Sequence, residues 1–221
     1  MSSAVNADNK PLNISLLWES KDESKWKAAL THYDETLGSN QIEIENRINT
    51  LNIEEIKNYS TEEFYDFLYN EYFVWKFTAK NRLVTTRNNL IRYKKENKFN
   101  ELETIKRNIF CLNHSDIKTC LKNVKGIHGL GVAGASGLLA VLFPEDFATV
   151  DQFVVQALCD IKALEEHKEL IKINKDRISL NAGVLLISLM RRKAAELNQQ
   201  FNTSYWTPRK IDMILLCIGR S

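Results

Sequence analysis

Residues 125–137 read Lys-Gly-Ile-His-Gly-Leu-Gly-Val-Ala-Gly-Ala-Ser-Gly and hold five of the chain's eight glycines. Upstream, Ile117, Cys120, Leu121 and Val124 recur at helical spacing; downstream, Val132, Ala135, Leu138, Leu139 and Leu142 do the same. The stretch predicts a helix, a tight turn at Gly129-Leu130-Gly131 and a second helix. Glycine suits such a turn because it adopts positive φ and lets another surface come close. A helix that starts just past the turn points unpaired backbone N–H groups outward, where a phosphate oxygen fits. Gly129-x-Gly131-x-x-Gly134 also has the letters of a dinucleotide-binding loop, but that motif follows a strand and none precedes this one.

Outward from the turn the apolar period stays helical. Trp26, Leu30, Tyr33 and Leu37 form a stripe ending at Gly38, and Ile44, Ile48 and Leu51 form another. Ser60 and Glu63 have capping-box spacing ahead of Phe64, Phe67, Leu68, Tyr72 and Trp75 on one face. Leu83, Leu90 and Ile91 share a helix with Arg82, Arg87, Arg92, Lys94 and Lys95, and Leu102, Ile105, Ile109 and Leu112 mark the next. Residues 180–201 are helical and contain Arg191-Arg192-Lys193; Thr207-Pro208 then reads as N-cap and N1 of a last helix reaching Gly219. Residues 1–12 are polar, aperiodic and expected to fray. The expected class is all-α, with roughly ten helices on short loops and no internal repeat.

A chain of 221 residues with 44% hydrophobic and 26% charged residues buries a core without disulfide staples, as one large or two small domains. No apolar run approaches the roughly 20 residues of a membrane span, and Met1–Asn13 lacks the pattern of a signal peptide, so an intracellular, monomeric protein is expected. Cys111, Cys120, Cys159 and Cys217 are too scattered for zinc or iron–sulfur and read as buried reduced thiols. Charge is uneven: residues 1–75 carry 6 Lys/Arg against 14 Asp/Glu, residues 76–107 carry 10 against 3, and the remainder 14 against 11. The basic middle is either a solvated face or a surface for a polyanion.

Ile127-His128-Gly129-Leu130-Gly131-Val132-Ala133-Gly134-Ala135, followed by Phe143-Pro144-Glu145-Asp146-Phe147-Ala148-Thr149-Val150-Asp151, resembles the hairpin and the downstream Val-Asp of the helix-hairpin-helix DNA glycosylases, including their endonuclease III-like and 8-oxoguanine glycosylase branches. Asp151 lies twenty positions after Gly131, the spacing of that family. Trp206-Thr207-Pro208-Arg209-Lys210-Ile211-Asp212 looks like the closing helix of proteins related to it. The resemblance implies two helical lobes flanking a cleft. One lobe spans residues 53–150 and ends in the hairpin at about 115–143; residues 151–221 form the other, with residues 1–52 packed on it.

The resemblance further implies that backbone N–H groups around Gly129, Gly131 and Ala133 bind a DNA phosphate, with Lys125 and His128 adding charge. It implies that the carbonyls of Lys125, Ile127 and Leu130 hold a monovalent cation such as K+ or Na+, with no other cofactor. Arg191, Arg192 and Lys193 are phosphate contacts if their helix faces the same groove, and a solvated end otherwise. Gln152, Phe153, Trp75 and Lys76 are candidates for the base pocket, although core packing is the ordinary fate of Trp75. Glu145 and Asp146 read as solvated loop residues.

Cleaving an N-glycosidic bond passes through an oxocarbenium-like sugar, which needs a fixed negative charge and a positioned water. Asp151 fits that charge if it heads a helix facing the groove, where N–H bonds and the dipole keep it ionised; as a plain N-cap it would look the same in sequence. The chain also departs from the family. Ala133 stands where strand-cleaving members have a Schiff-base lysine, His128 replaces a proline, and no iron–sulfur cysteines are present. The expectation is therefore a monofunctional glycosylase that flips a damaged or modified base from double-stranded DNA and hydrolyses it off, without lyase activity. A non-catalytic hairpin module that only binds DNA is the rival, and a glycosylase aimed at modified bases of foreign DNA is a variant of the first reading.

Overall fold

The computed structural model of the chain describes residues 13–220, so the fraying expected of residues 1–12 lies outside the described residues. Every regular element among the described residues is helical. The order is α1 (Ile14–Trp18), α2 (Glu23–Thr36), α3 (Ser39–Asn49), α4 (Ile53–Asn58), α5 (Thr61–Phe67), a π turn (Leu68–Tyr72), α6 (Phe73–Lys76), α7 (Lys80–Lys95), α8 (Phe99–Ile109), α9 (Ile117–Val124), α10 (Val132–Leu142), α11 (Gln152–Cys159), α12 (His167–Leu170), α13 (Leu180–Phe201) and α14 (Pro208–Arg220). This exceeds the roughly ten helices expected, because short pieces such as α1, α4 and α12 stand as separate helices and a π turn divides α5 from α6. No described helix is long and apolar enough to cross a membrane.

Caps place several boundaries where the sequence puts them. Ser60 Oγ accepts from the Glu63 N–H at 3.2 Å while Glu63 Oε2 accepts from the Ser60 N–H at 2.6 Å, closing the capping box of α5. Ser179 caps α13, and α14 begins at Pro208 after Thr207, whose Oγ1 accepts from the Lys210 N–H at 3.2 Å.

One continuous apolar core joins residues from α1 through α14. α14 lies along α11 and also touches α13 and α2; α9 bridges α10, α13 and α8; α3 rests on α6. α2, α3 and α14 thus come to the same side of the molecule as α6 and the start of α11, although they are far apart in sequence. The cysteine expectation holds for Cys120 and Cys217, which are buried, whereas Cys159 is partly buried and Cys111 is exposed in the turn that ends α8.

Candidate functional site

The hairpin forms as its sequence suggests. Gly129 takes φ of +96°, and a Cβ there would stand 2.9 Å from the Thr86 carbonyl oxygen of α7, so the turn is docked on that helix. Gly131 is the N-cap of α10 with extended backbone, has no side chain to offer and faces open space. The first N–H groups of α10, at Val132 and Ala133, therefore have no side-chain cap. Lys125 is exposed at the end of α9. His128 is stacked on Tyr93 at a centroid distance of 4.1 Å and its N–H donates to the Tyr93 hydroxyl, so it is anchored rather than free; burial, helped by Arg92, lowers its pKa. Of the carbonyls assigned to a cation by resemblance, that of Ile127 accepts the Leu130 N–H at 3.0 Å and keeps its second lone pair; those of Lys125 and Leu130 accept no hydrogen bond among the described residues. No group of three His, Cys, Asp or Glu side chains gathers for a metal among the described residues.

From α10 the chain returns through a buried segment that aims Asp151. The Thr149 N–H donates to Asp212 Oδ2 at 2.6 Å and the Val150 N–H to Ser136 Oγ at 2.9 Å, tying the segment to α14 on one side and to the hairpin's second helix on the other. Asp151 then caps α11: its Oδ1 accepts from the N–H groups of Phe153 and Val154 at 2.9 and 3.0 Å. The same residue lines a pocket of about 110 Å³ together with Lys76, Trp75, Thr149, Arg209 and Glu45.

The floor of this pocket is a buried ion network that the sequence did not lead us to expect. Arg209 donates through Nη1 to Asp212 Oδ1 and through Nη2 to Glu45 Oε1, the latter at 2.7 Å. Glu45 Oε2 accepts the Trp75 indole N–H at 2.6 Å, and the guanidinium of Arg209 lies 5.1 Å from the Trp75 ring centre. All three charged residues are buried. Burial pushes the Asp212 carboxyl up to about 7, against the pull of Arg209 and the Thr149 N–H. Burial alone would lower Arg209, but Asp212 and Glu45 outweigh it and hold the guanidinium charged. Burial also raises the Tyr33 phenol above its ordinary value. The signal for the network was the i, i+3 spacing of Arg209 and Asp212 on one helix; nothing local pointed to Glu45 or Tyr33.

Other expected site residues divide. Lys76 and Trp75 reach the pocket, so Trp75 is a wall and not simply core. Gln152 is exposed, and Phe153 is partly buried with Arg220 5.1 Å from its ring centre. Lys193 corrects the basic triplet: it is buried, its ammonium donates to the Trp18 carbonyl at 3.0 Å and to Glu196 at 2.7 Å, and it lies over the Trp18 ring, so it reaches no DNA. Arg191 is likewise engaged inside, donating to the carbonyls of His114 and Asp146 over the Phe147 ring. Arg192 is exposed and clasps Glu166 with two hydrogen bonds, at 2.7 and 2.9 Å. Glu145 is exposed as expected, whereas the Asp146 carboxylate is engaged by His114 Nδ1 at 2.7 Å. No protein-family model matches the sequence, and no curated protein or solved structure is significantly similar to it.

Proposed function

We propose that the chain is a monofunctional DNA N-glycosylase: it docks a phosphate of double-stranded DNA on the α9–α10 hairpin, receives a flipped base in the pocket and hydrolyses its glycosidic bond. The observation that carries this reading is the double placement of Asp151, which caps α11 through Oδ1 while lining the pocket. At that position the side chain can supply the negative charge an oxocarbenium-like sugar requires. Hydrogen bonds from the Thr149 and Val150 N–H groups fix the approach, so little reorganisation accompanies the reaction. In this reading the pocket marks the cleft between two lobes, with α4–α10 on one side and α1–α3 with α11–α14 on the other. A monovalent cation held by the carbonyls of Lys125, Ile127 and Leu130 would strengthen the phosphate site.

The test is base release from a panel of lesion-bearing and modified duplexes, read as strand breaks after hot alkali. Asp151→Asn keeps a side chain that caps nearly as well, so stability and affinity for abasic-analogue DNA should persist while base release falls on the order of a hundredfold or more. Full activity in that variant would remove Asp151 from the mechanism. A parent protein that binds DNA and releases no base would instead be the non-catalytic hairpin module.

A further inference from the structure

The pocket holds a second group that the role of Asp151 leaves unused. Lys76 is the last residue of α6, and among the described residues its ammonium has neither a hydrogen-bond nor an ion-pair partner; it lies over the Trp75 ring, with the centroid 5.8 Å away. An ammonium offers three donors and is costly to enclose without acceptors, so one left open to a pocket is arranged for something that enters. The fold also makes room for it. Gly137 sits in the middle of α10, where glycine weakens a helix, and a Cβ there would lie 2.8 Å from the Tyr72 hydroxyl, 3.0 Å from Lys76 Cδ and 3.1 Å from Cε. The missing side chain seats the lysine stem. Asp151, Asp212, Arg209 and Arg220 are the charged groups that face it; burial lowers its pKa, while the two aspartates oppose that shift.

We infer that Lys76 is the proton donor to the departing base, and that the pocket therefore serves neutral bases with an acceptor atom beside the glycosidic bond rather than cationic alkylated purines. This rests on the glycosylase reading. As the C1′–N bond breaks, its electron pair leaves with the base and an ammonium proton of Lys76 moves onto that base. Water bonds to C1′, and the proton it loses returns the amine to ammonium. A cationic base needs no such proton and is repelled by the same ammonium.

The experiment measures single-turnover release of uracil, thymine, hypoxanthine, 8-oxoguanine and 7-methylguanine from duplex DNA by the parent, Lys76→Met and Gly137→Ala proteins. Neutral bases should be released and 7-methylguanine should not. Lys76→Met should slow the released base on the order of a hundredfold or more, keep affinity for abasic-analogue DNA and lose the alkaline limb of the pH–rate profile. Gly137→Ala, which keeps the amine but crowds its stem along with the Tyr72 hydroxyl, should slow the same step even if Lys76→Met folds poorly. Parent-like rates in both variants would overturn the inference, as would preferential release of 7-methylguanine. So would a borohydride-trapped adduct that disappears in Lys76→Met, since Lys76 would then be a nucleophile. If the parent binds DNA but releases neither these bases nor any base of the wider panel, the glycosylase reading itself fails, an outcome distinct from an active parent indifferent to Lys76.

Discussion

Gly129 and Gly131 stand two residues apart in one turn, and their environments differ. At Gly129 the φ of +96° is strained for any L side chain and a Cβ would meet the Thr86 carbonyl at 2.9 Å. Gly129→Ala should therefore cost about 2 kcal/mol or more in urea denaturation. Gly131 has ordinary backbone and nothing within 4 Å of the place a methyl group would take, so Gly131→Ala should stay within about 0.5 kcal/mol of the parent. Equal losses at both positions would contradict the described turn. Asp151 was legible as a residue because a cap and its spacing are local properties. Lys193 was not, because three consecutive helical residues turn about 100° each and cannot share one face. Arg192 points to solvent while Arg191 and Lys193 turn inward to carbonyls and aromatic rings.

Elements with local signals appeared close to where the sequence put them: the capping box of α5, the Thr207-Pro208 start of α14 and the two hairpin helices. The π turn at Leu68–Tyr72 was invisible, since the spacing of Phe64, Phe67, Leu68 and Tyr72 reads as unbroken α-helix. How closely two helices approach also escapes periodicity. Gly219 brings α14 against α11 so tightly that a Cβ there would lie 2.1 Å from the Phe153 carbonyl oxygen, a backbone atom that cannot swing aside. Gly219→Ala should push the end of α14 off α11 at a cost of about 1–3 kcal/mol, seen as a lower urea midpoint with little loss of far-ultraviolet helical signal. An unchanged midpoint would mean that the two helices are not held at that distance.

For the molecule as a whole, the pocket exists only where α3, α6, the start of α11 and α14 converge, so no stretch of sequence contains it. Its residues carry ordinary local patterns, and only the fold reveals that Glu45 and Arg209, 164 positions apart, share a buried ion pair. Arg209→Met should cost about 3–5 kcal/mol, because it strands two buried carboxylates rather than removing a neutral contact. Arg209→Met combined with Glu45→Gln and Asp212→Asn should recover much of that loss; no recovery would point to packing instead of charge. The placement of the four tryptophans has a spectroscopic consequence. Trp18, Trp26 and Trp206 cluster with neighbouring centroids 6.2 and 6.0 Å apart, close enough to share excitation, whereas Trp75 lines the pocket with its indole on a carboxylate. The chain thus carries two separate optical reporters, one for unfolding of the tryptophan cluster and one for what occupies the pocket. Trp75→Phe should erase the emission change on adding abasic-analogue DNA and leave the fluorescence-detected unfolding transition in place.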